Sequence, residues 1–202
     1  MRLKNIIVIV LAGVFLVCLG ACSKSAKNPV ATIEMESGEK IVIELTFDRA
    51  PETVRNFVYL ANSGFYDGLT FHHIYPGFAI LGGDPEGTGM GGPGYHIKGE
   101  FLENKFVQND LNHSRGIVSM ARGESYDSAG SQFFITVADA SSVLNHLYAG
   151  FGIVKEGMDV VDRIASGASS EEQDGKAENP EVMKKVTVDT FGKDFGEPEK
   201  LT

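Results

Sequence analysis

The chain has no tryptophan, only two cysteines among its 202 residues, and fewer basic than acidic side chains, 18 against 27. Both cysteines, Cys18 and Cys22, fall near the amino terminus, so the rest of the chain holds no thiol for a disulfide and must rely on its core. The acidic balance disfavours nucleic acid and anionic lipid surfaces as partners. Long apolar runs are also scarce. The longest, Ile6 to Leu19, has 14 uncharged residues, below the roughly 20 that a membrane-crossing helix needs. Histidines number five, at 72, 73, 96, 113 and 146, with no spacing typical of a zinc site.

That apolar run follows Arg2 and Lys4 and ends in the string LGAC, Leu19 to Cys22. A basic start, a short apolar stretch and small residues before a break make an export signal. LGAC resembles the lipobox of bacterial lipoproteins, in which the cysteine thiol receives a diacylglycerol and cleavage falls just before it. The resemblance implies a mature chain that starts at Cys22, carries palmitate-type acyl chains and is anchored on the outer face of a membrane in a bacterial envelope. Two or more acyl chains give a lasting anchor where one does not. Removing 21 residues leaves 181, enough for one domain, and takes the formal charge from −9 to −11. Residues 22–29 read as lipidated cysteine and polar tether, 30–192 as the folded domain and 193–202 as a tail.

From Val30 onward the pattern is that of a β protein. VATIEM and KIVIELT flank a turn at Ser37-Gly38, with Ile41, Ile43 and Leu45 on one face. APETVRNFVYLANSG switches to a helical period, with Pro51 suited to the first turn, an apolar stripe of Val54, Phe57, Val58 and Ala61, and Gly64 at the C-terminal cap. Further strands are expected over 70–75, 78–81, 95–98, 116–121, 132–138, 150–154 and 185–191, with a second helix over 157–165. The acidic, polar stretch 166–180 reads as a solvated loop. Many short strands, Gly-rich turns and two helices argue for an antiparallel barrel.

Several chemical readings fall away. Side chains alternate along a strand, so His72 and His73 are expected on opposite faces and unable to grip one ion. GTGMGG, 87–92, lacks the Lys-Ser/Thr of a phosphate loop and runs into a strand-like segment. Ser131 in AGSQFF is not in a nucleophile-elbow pattern. Neither a metal nor a cofactor is expected.

What remains is a set of longer strings: FHHIYPGFAILGGDPEGTGMGGPGY, GIVSMAR, AGSQFFIT and FGIVKEGMDVVDRI. Together, over about residues 30–192, they resemble the cyclophilin family of peptidyl-prolyl isomerases. The resemblance implies a closed eight-stranded antiparallel β-barrel capped by two α-helices, with a substrate groove on its outer surface. It places Phe78, Phe134 and Leu144 in the proline pocket, Gln132 on the substrate backbone, Ala121 on the groove wall and Gly89 at a neighbouring subsite. The family's catalytic arginine corresponds to His73. Ala79 replaces a usual methionine, Leu81 a usual glutamine and Arg122 a frequent asparagine; Val143 stands where tryptophan or histidine is common, and Tyr148 where many members have histidine. The imidazole of His73 then donates to the prolyl nitrogen, or Arg122 reaches across the groove, or the donor is absent. The implied activity is X–Pro isomerisation in exported polypeptides by a monomer. The alternative is a proline-binding chaperone module with little turnover.

Overall fold

Alternation makes the first hairpin. Residues 30–35 (β1) and 40–45 (β2) bury every second side chain, so Ala31, Ile33, Met35, Ile41, Ile43 and Leu45 all point into the core. The computed structural model describes residues 27–167, 169–170 and 175–202; the expected export leader and the expected lipidation site, Cys22, lie outside them. The remaining elements, in chain order, are α1 (Pro51–Asn62), β3 (Thr70–Tyr75), β4 (Ala79–Gly82), β5 (Ile117–Met120), β6 (Phe133–Thr136), α2 (Ser141–Leu144), β7 (Ala149–Glu156), α3 (Met158–Ala165), β8 (Ser169–Ser170) and β9 (Lys176–Asp189).

All strand pairs are antiparallel. The order β1-β2-β7-β5-β6-β4-β3-β9 returns to β1, which closes an eight-stranded barrel, and β8 adds a two-residue pairing outside β9. Closure removes the sheet edges that would otherwise template aggregation. The interior is side chain: Phe57 of α1, Tyr66, Phe71, Phe133 and Phe151 form edge-on and stacked ring pairs with centroids 5.0–6.1 Å apart. Helix α1 lays its Val54, Phe57, Val58 and Ala61 stripe onto this core. It ends as the sequence suggests. Gly64 adopts φ +74°, and the N–H groups of Gly64 and Phe65 donate to the carbonyls of Ala61 and Leu60, both at 3.0 Å.

Four expectations need correction. Residues 95–98 form no strand: His96 bridges only to Leu201 and Ile97 only to Ala129, different partners that share no ladder. The last strand begins at Lys176, well inside the stretch read as loop, because backbone pairing to β3 and β8 proceeds whatever the outward side chains are. A short third helix, α2, lies between β6 and β7. The segment 193–202 is no loose tail. Phe195 is buried against Phe47, and Arg55 Nε donates to the Phe195 carbonyl at 2.8 Å.

The start of α1 depends on a residue far away in sequence. Ala50 precedes the helix and offers no side-chain cap. The buried carboxylate of Glu100 fills that role, accepting from the Glu52 N–H (2.9 Å), the Thr53 N–H (2.7 Å) and the Thr53 hydroxyl (2.8 Å). Burial pushes its carboxyl pKa up, and these bonds only partly offset that. Glu100→Ala is expected to lower unfolding free energy by about 1–2 kcal/mol in urea titrations. Glu100→Gln, which keeps an acceptor oxygen and sheds the buried charge, should stay much closer to the parent. Equal losses in both variants would show that the charge, rather than the acceptor, stabilises the helix.

Candidate active site

The groove is built from a cross-strand row. His73 of β3 is opposite Leu81 of β4, and Leu81 is opposite Phe134 of β6, so the three share the outer face of the barrel. Their inner neighbours, Ile74, Ile80 and Phe133, belong to the core. With strands about 4.8 Å apart, His73 sits two strands, roughly 10 Å, from the Phe134 backbone.

Around Phe134 lies a second apolar cluster, separate from the core: Ala79, Phe134, Ala140 and Leu144 buried, with Phe78, Leu81, Ala121 and Tyr148 half-buried beside it. Leu144 reaches it from α2, whose first turn is fixed by the Ser141 N–H donating to Asp139 Oδ1 at 2.9 Å. The Phe134 ring is held from two sides, by His113 stacked at 6.2 Å and by Tyr148 edge-on at 5.7 Å. His113 is itself fixed. Its Nδ1 lies 3.1 Å from Asn145 Oδ1, an oxygen that only accepts, so Nδ1 carries the proton and Nε2 accepts from the Ser119 hydroxyl at 2.9 Å. Sequence reasoning missed His113, Asn145 and Ala140, since nothing local marks a residue that acts from behind a pocket.

On the polar side, Asp84 organises the glycine-rich loop. Its carboxylate is buried and accepts from the N–H groups of Glu86 (2.8 Å), Thr88 (3.0 Å) and Gly89 (2.5 Å). Burial pushes the Asp84 pKa up, but the backbone N–H groups of Glu86, Gly89 and Gly91 outweigh it and hold the value below the usual aspartate range. The loop then holds Gln132, whose Nε2 donates to the carbonyls of Gly89 (3.0 Å) and Gly91 (2.9 Å). Gly89 adopts φ +86°, and a Cβ there would stand 3.3 Å from His73 Cε1, so only glycine lets the loop close onto that ring.

His72 and His73 do not face opposite sides. Between Phe71 and His73 the β3–β4 register gains one residue, a β-bulge, and the two rings meet edge-to-face at 4.9 Å. His73 also stacks on Tyr75 at 6.1 Å and is 8% exposed. His72 is buried beside Asp84, and its ring nitrogens meet the Thr70 backbone and the Gln132 amide with geometry too poor for full hydrogen bonds. Among the described residues, no group of three or more His, Cys, Asp or Glu is placed to hold a metal ion.

Arg122 does not reach across to His73. Its Nε donates to the Leu147 carbonyl at 3.1 Å and its Nη1 to the Gly123 carbonyl at 2.9 Å, and the guanidinium lies over the Tyr148 ring at 4.7 Å. Val143 is 59% exposed and is not part of the apolar cluster around Phe134. Leu81, Ala121, Arg122, Gln132 and Gly89 line an open groove of about 770 Å³ that borders the apolar cup at Leu81 and Ala121 and runs past Met90 to Tyr95.

Burial pushes the pKa values of both His72 and His113 down, and the neighbouring His73 adds to the effect at His72. The unfolded chain therefore takes up protons at both rings near the ordinary imidazole value of 6.5, while the folded chain resists until lower pH. Stability falls with acid through this window, by up to about 1.4 kcal/mol per pH unit for each ring. Asp84 acts the same way further down, its contribution present above the ordinary 3.8 and lost as the pH falls below it. Glu100, raised, acts oppositely and gains as pH drops. Melting curves from pH 8 to 5 should show the midpoint decline below about 6.5, with a flatter profile in His113→Gln. An unchanged profile in that variant would remove His113 from this account.

This geometry matches known proteins. Residues 30–188 fit the family model for the cyclophilin type peptidyl-prolyl cis-trans isomerase. A curated relative, peptidyl-prolyl cis-trans isomerase B of Bacillus subtilis, is 43% identical over 155 residues, covering 77% of this chain and 94% of its own. The peptidyl-prolyl cis-trans isomerase of Helicobacter pylori is 44% identical over 147 residues, 70% of this chain and 83% of its own. A crystal structure of a Cryptosporidium parvum cyclophilin type isomerase, determined in the presence of the dipeptide Ala-Pro, superposes with a TM-score of 0.70 at 30% identity, covering 79% of this chain and 98% of that one. With its closed barrel, apolar cup and Gln132 beside an ordered glycine loop, the chain belongs to the cyclophilin-type peptidyl-prolyl cis-trans isomerase family.

Proposed function

We propose that this protein is a peptidyl-prolyl isomerase that accelerates X–Pro rotation in exported polypeptides while tethered by lipid at the outer face of a bacterial membrane. The observation that carries the reading is the apolar cluster of Ala79, Phe134, Ala140 and Leu144 on the outer face of the barrel, near the ordered polar rim at Gln132. Rotation about an X–Pro bond is opposed by amide resonance, with a barrier of about 18–20 kcal/mol, and unaided exchange takes roughly tens to hundreds of seconds. No nucleophile, metal or cofactor is needed. The cup holds the prolyl ring, Gln132 holds flanking backbone, and a donor near the prolyl nitrogen favours the twisted state, in which the nitrogen lone pair is localised. His73, in the same outward row as Phe134, occupies the donor's place. Its imidazole is shorter than a guanidinium and offers fewer N–H groups.

Exchange of an Ala-Pro peptide followed by NMR tests this. The protein is expected to accelerate exchange, Phe134→Ala to abolish it, and His73→Arg to raise it by about tenfold or more, since one well-aimed donor is worth on the order of 10²–10³ where an enzyme depends on it. Peptide binding with no acceleration in the parent, and exchange only in His73→Arg, would support the second reading, a proline-binding module.

The envelope location is supported by the sequence alone: basic start, 14-residue apolar run and LGAC. No helix among the described residues is long and apolar enough to cross a membrane. Expressed in a bacterium fed an alkyne-bearing fatty acid, the chain should acquire label at Cys22 and partition with membranes. Cys22→Ser should lose both. Label without membrane partition, or neither in the parent, would overturn the anchor.

A further inference from the structure

Arg122, two residues beyond the end of β5, lines the groove on one side and is held by backbone carbonyls and aromatic rings on others. Besides the carbonyls of Leu147 and Gly123, Nη1 lies 3.4 Å from the Glu124 carbonyl. Its guanidinium carbon stands 4.7 Å from the Tyr148 ring centroid, 5.1 Å from Tyr126 and 5.3 Å from Phe101. The side chain thus joins three separate segments: the chain at Phe101, the loop 122–126, and the turn 145–148 that leads out of α2. That last turn is irregular. His146 has a left-handed φ of +69°, and the turn is tied by bonds back to Ser141 and Leu144 and by the Glu103 N–H donating to the His146 carbonyl at 3.0 Å. The Asn145 side chain, bonded to His113 and Asn112, anchors the start of the turn; at its far end the Leu147 carbonyl and the Tyr148 ring are both held by Arg122. Tyr148 in turn presents its edge to Phe134, the floor of the apolar cup.

We propose that Arg122 is a positioning residue that sets affinity for the prolyl ring by locking Tyr148 against Phe134, without touching the reacting bond. Lysine cannot take its place. One ammonium lacks the flat face that meets the surrounding rings and the forked donors that reach the Leu147 and Gly123 carbonyls together. The cup grips the prolyl ring in the planar and twisted states alike, so loosening its wall removes uniform binding: KM rises while kcat holds.

This rests on the isomerase reading above, and one experiment separates the two. Exchange rates for Ala-Pro peptide are measured against concentration for the parent, Arg122→Lys, Arg122→Met, Tyr148→Ala and the Arg122→Met/Tyr148→Ala double variant, with Kd from chemical-shift titration and melting curves for each. Both Arg122 variants should raise KM and Kd by about tenfold with kcat within about twofold, Tyr148→Ala should match them, and the double variant should be no worse than the worse single. Multiplying effects in the double variant would overturn the proposal, as would a fall in kcat at unchanged KM, full rescue by lysine, or losses that simply track melting. A parent that binds peptide without accelerating exchange would sink the isomerase reading, and the Kd cycle would still decide the role of Arg122.

Discussion

The groove depends on the antiparallel pairing of β4 with β3 on one side and with β6 on the other. One register, His73 opposite Leu81 opposite Phe134, sends these three side chains outward and their neighbours Ile74, Ile80 and Phe133 inward. Consecutive phenylalanines at 133 and 134 then serve different ends. Phe133 meets Phe57, Tyr66 and Phe71 in the core, while Phe134 becomes the floor of the cup. A one-residue slip would exchange them, placing polar groove residues in the core. The aromatic core that stabilises the barrel therefore also fixes the active face, because every ring it buries holds the register that exposes the next residue.

The polar half of the site is ordered by one buried carboxylate. Asp84 replaces water with backbone N–H donors, and the loop it gathers presents the Gly89 and Gly91 carbonyls to Gln132. Such an arrangement is costly if half made: an unpaired carboxylate at that depth would be expensive. Completed, it leaves a loop whose shape is settled before substrate arrives, which lowers the ordering cost of binding. Glycine is required where the loop meets His73, since the left-handed backbone and the nearby ring both exclude a side chain.

Much of this was legible in the sequence, and the rest follows a pattern. The β1–β2 alternation and the α1 stripe with its glycine cap rest on local spacing, while Phe78, Gln132, Phe134 and Leu144 are site candidates only through the strings that resemble the cyclophilin family. What local spacing misses is any feature decided by a distant partner. The bulge at His72 depends on how β3 meets β4, and it puts two rings together that simple alternation would separate. Glu100 caps a helix that starts 49 positions earlier in the chain, at Pro51. Arg122 looks like an ordinary surface arginine until the fold brings Phe101, Tyr126 and Tyr148 around it. The polar start of β9 reads as loop because nothing in its side chains advertises pairing, which the backbone supplies.

The division between an apolar cup and a polar rim has a mechanistic consequence. A cup that fits a prolyl ring binds the planar cis, planar trans and twisted states about equally, so by itself it lowers KM and leaves the barrier in place. Acceleration must come from groups that interact better with the twisted bond, and under the proposed isomerase reading His73 is the candidate in the outward row. The ring is wedged between His72, Tyr75 and the Gly89 backbone, which limits the rotation it would use to follow the nitrogen. Preorganisation of this kind helps only if the fixed direction is the right one. A long guanidinium can span a gap from a distant strand; a wedged imidazole must rely on the substrate being brought to it. In this chain, therefore, the precision of the cup, and of the Phe134–Tyr148–Arg122 contacts that support it, matters more to turnover than it would with an arginine at position 73.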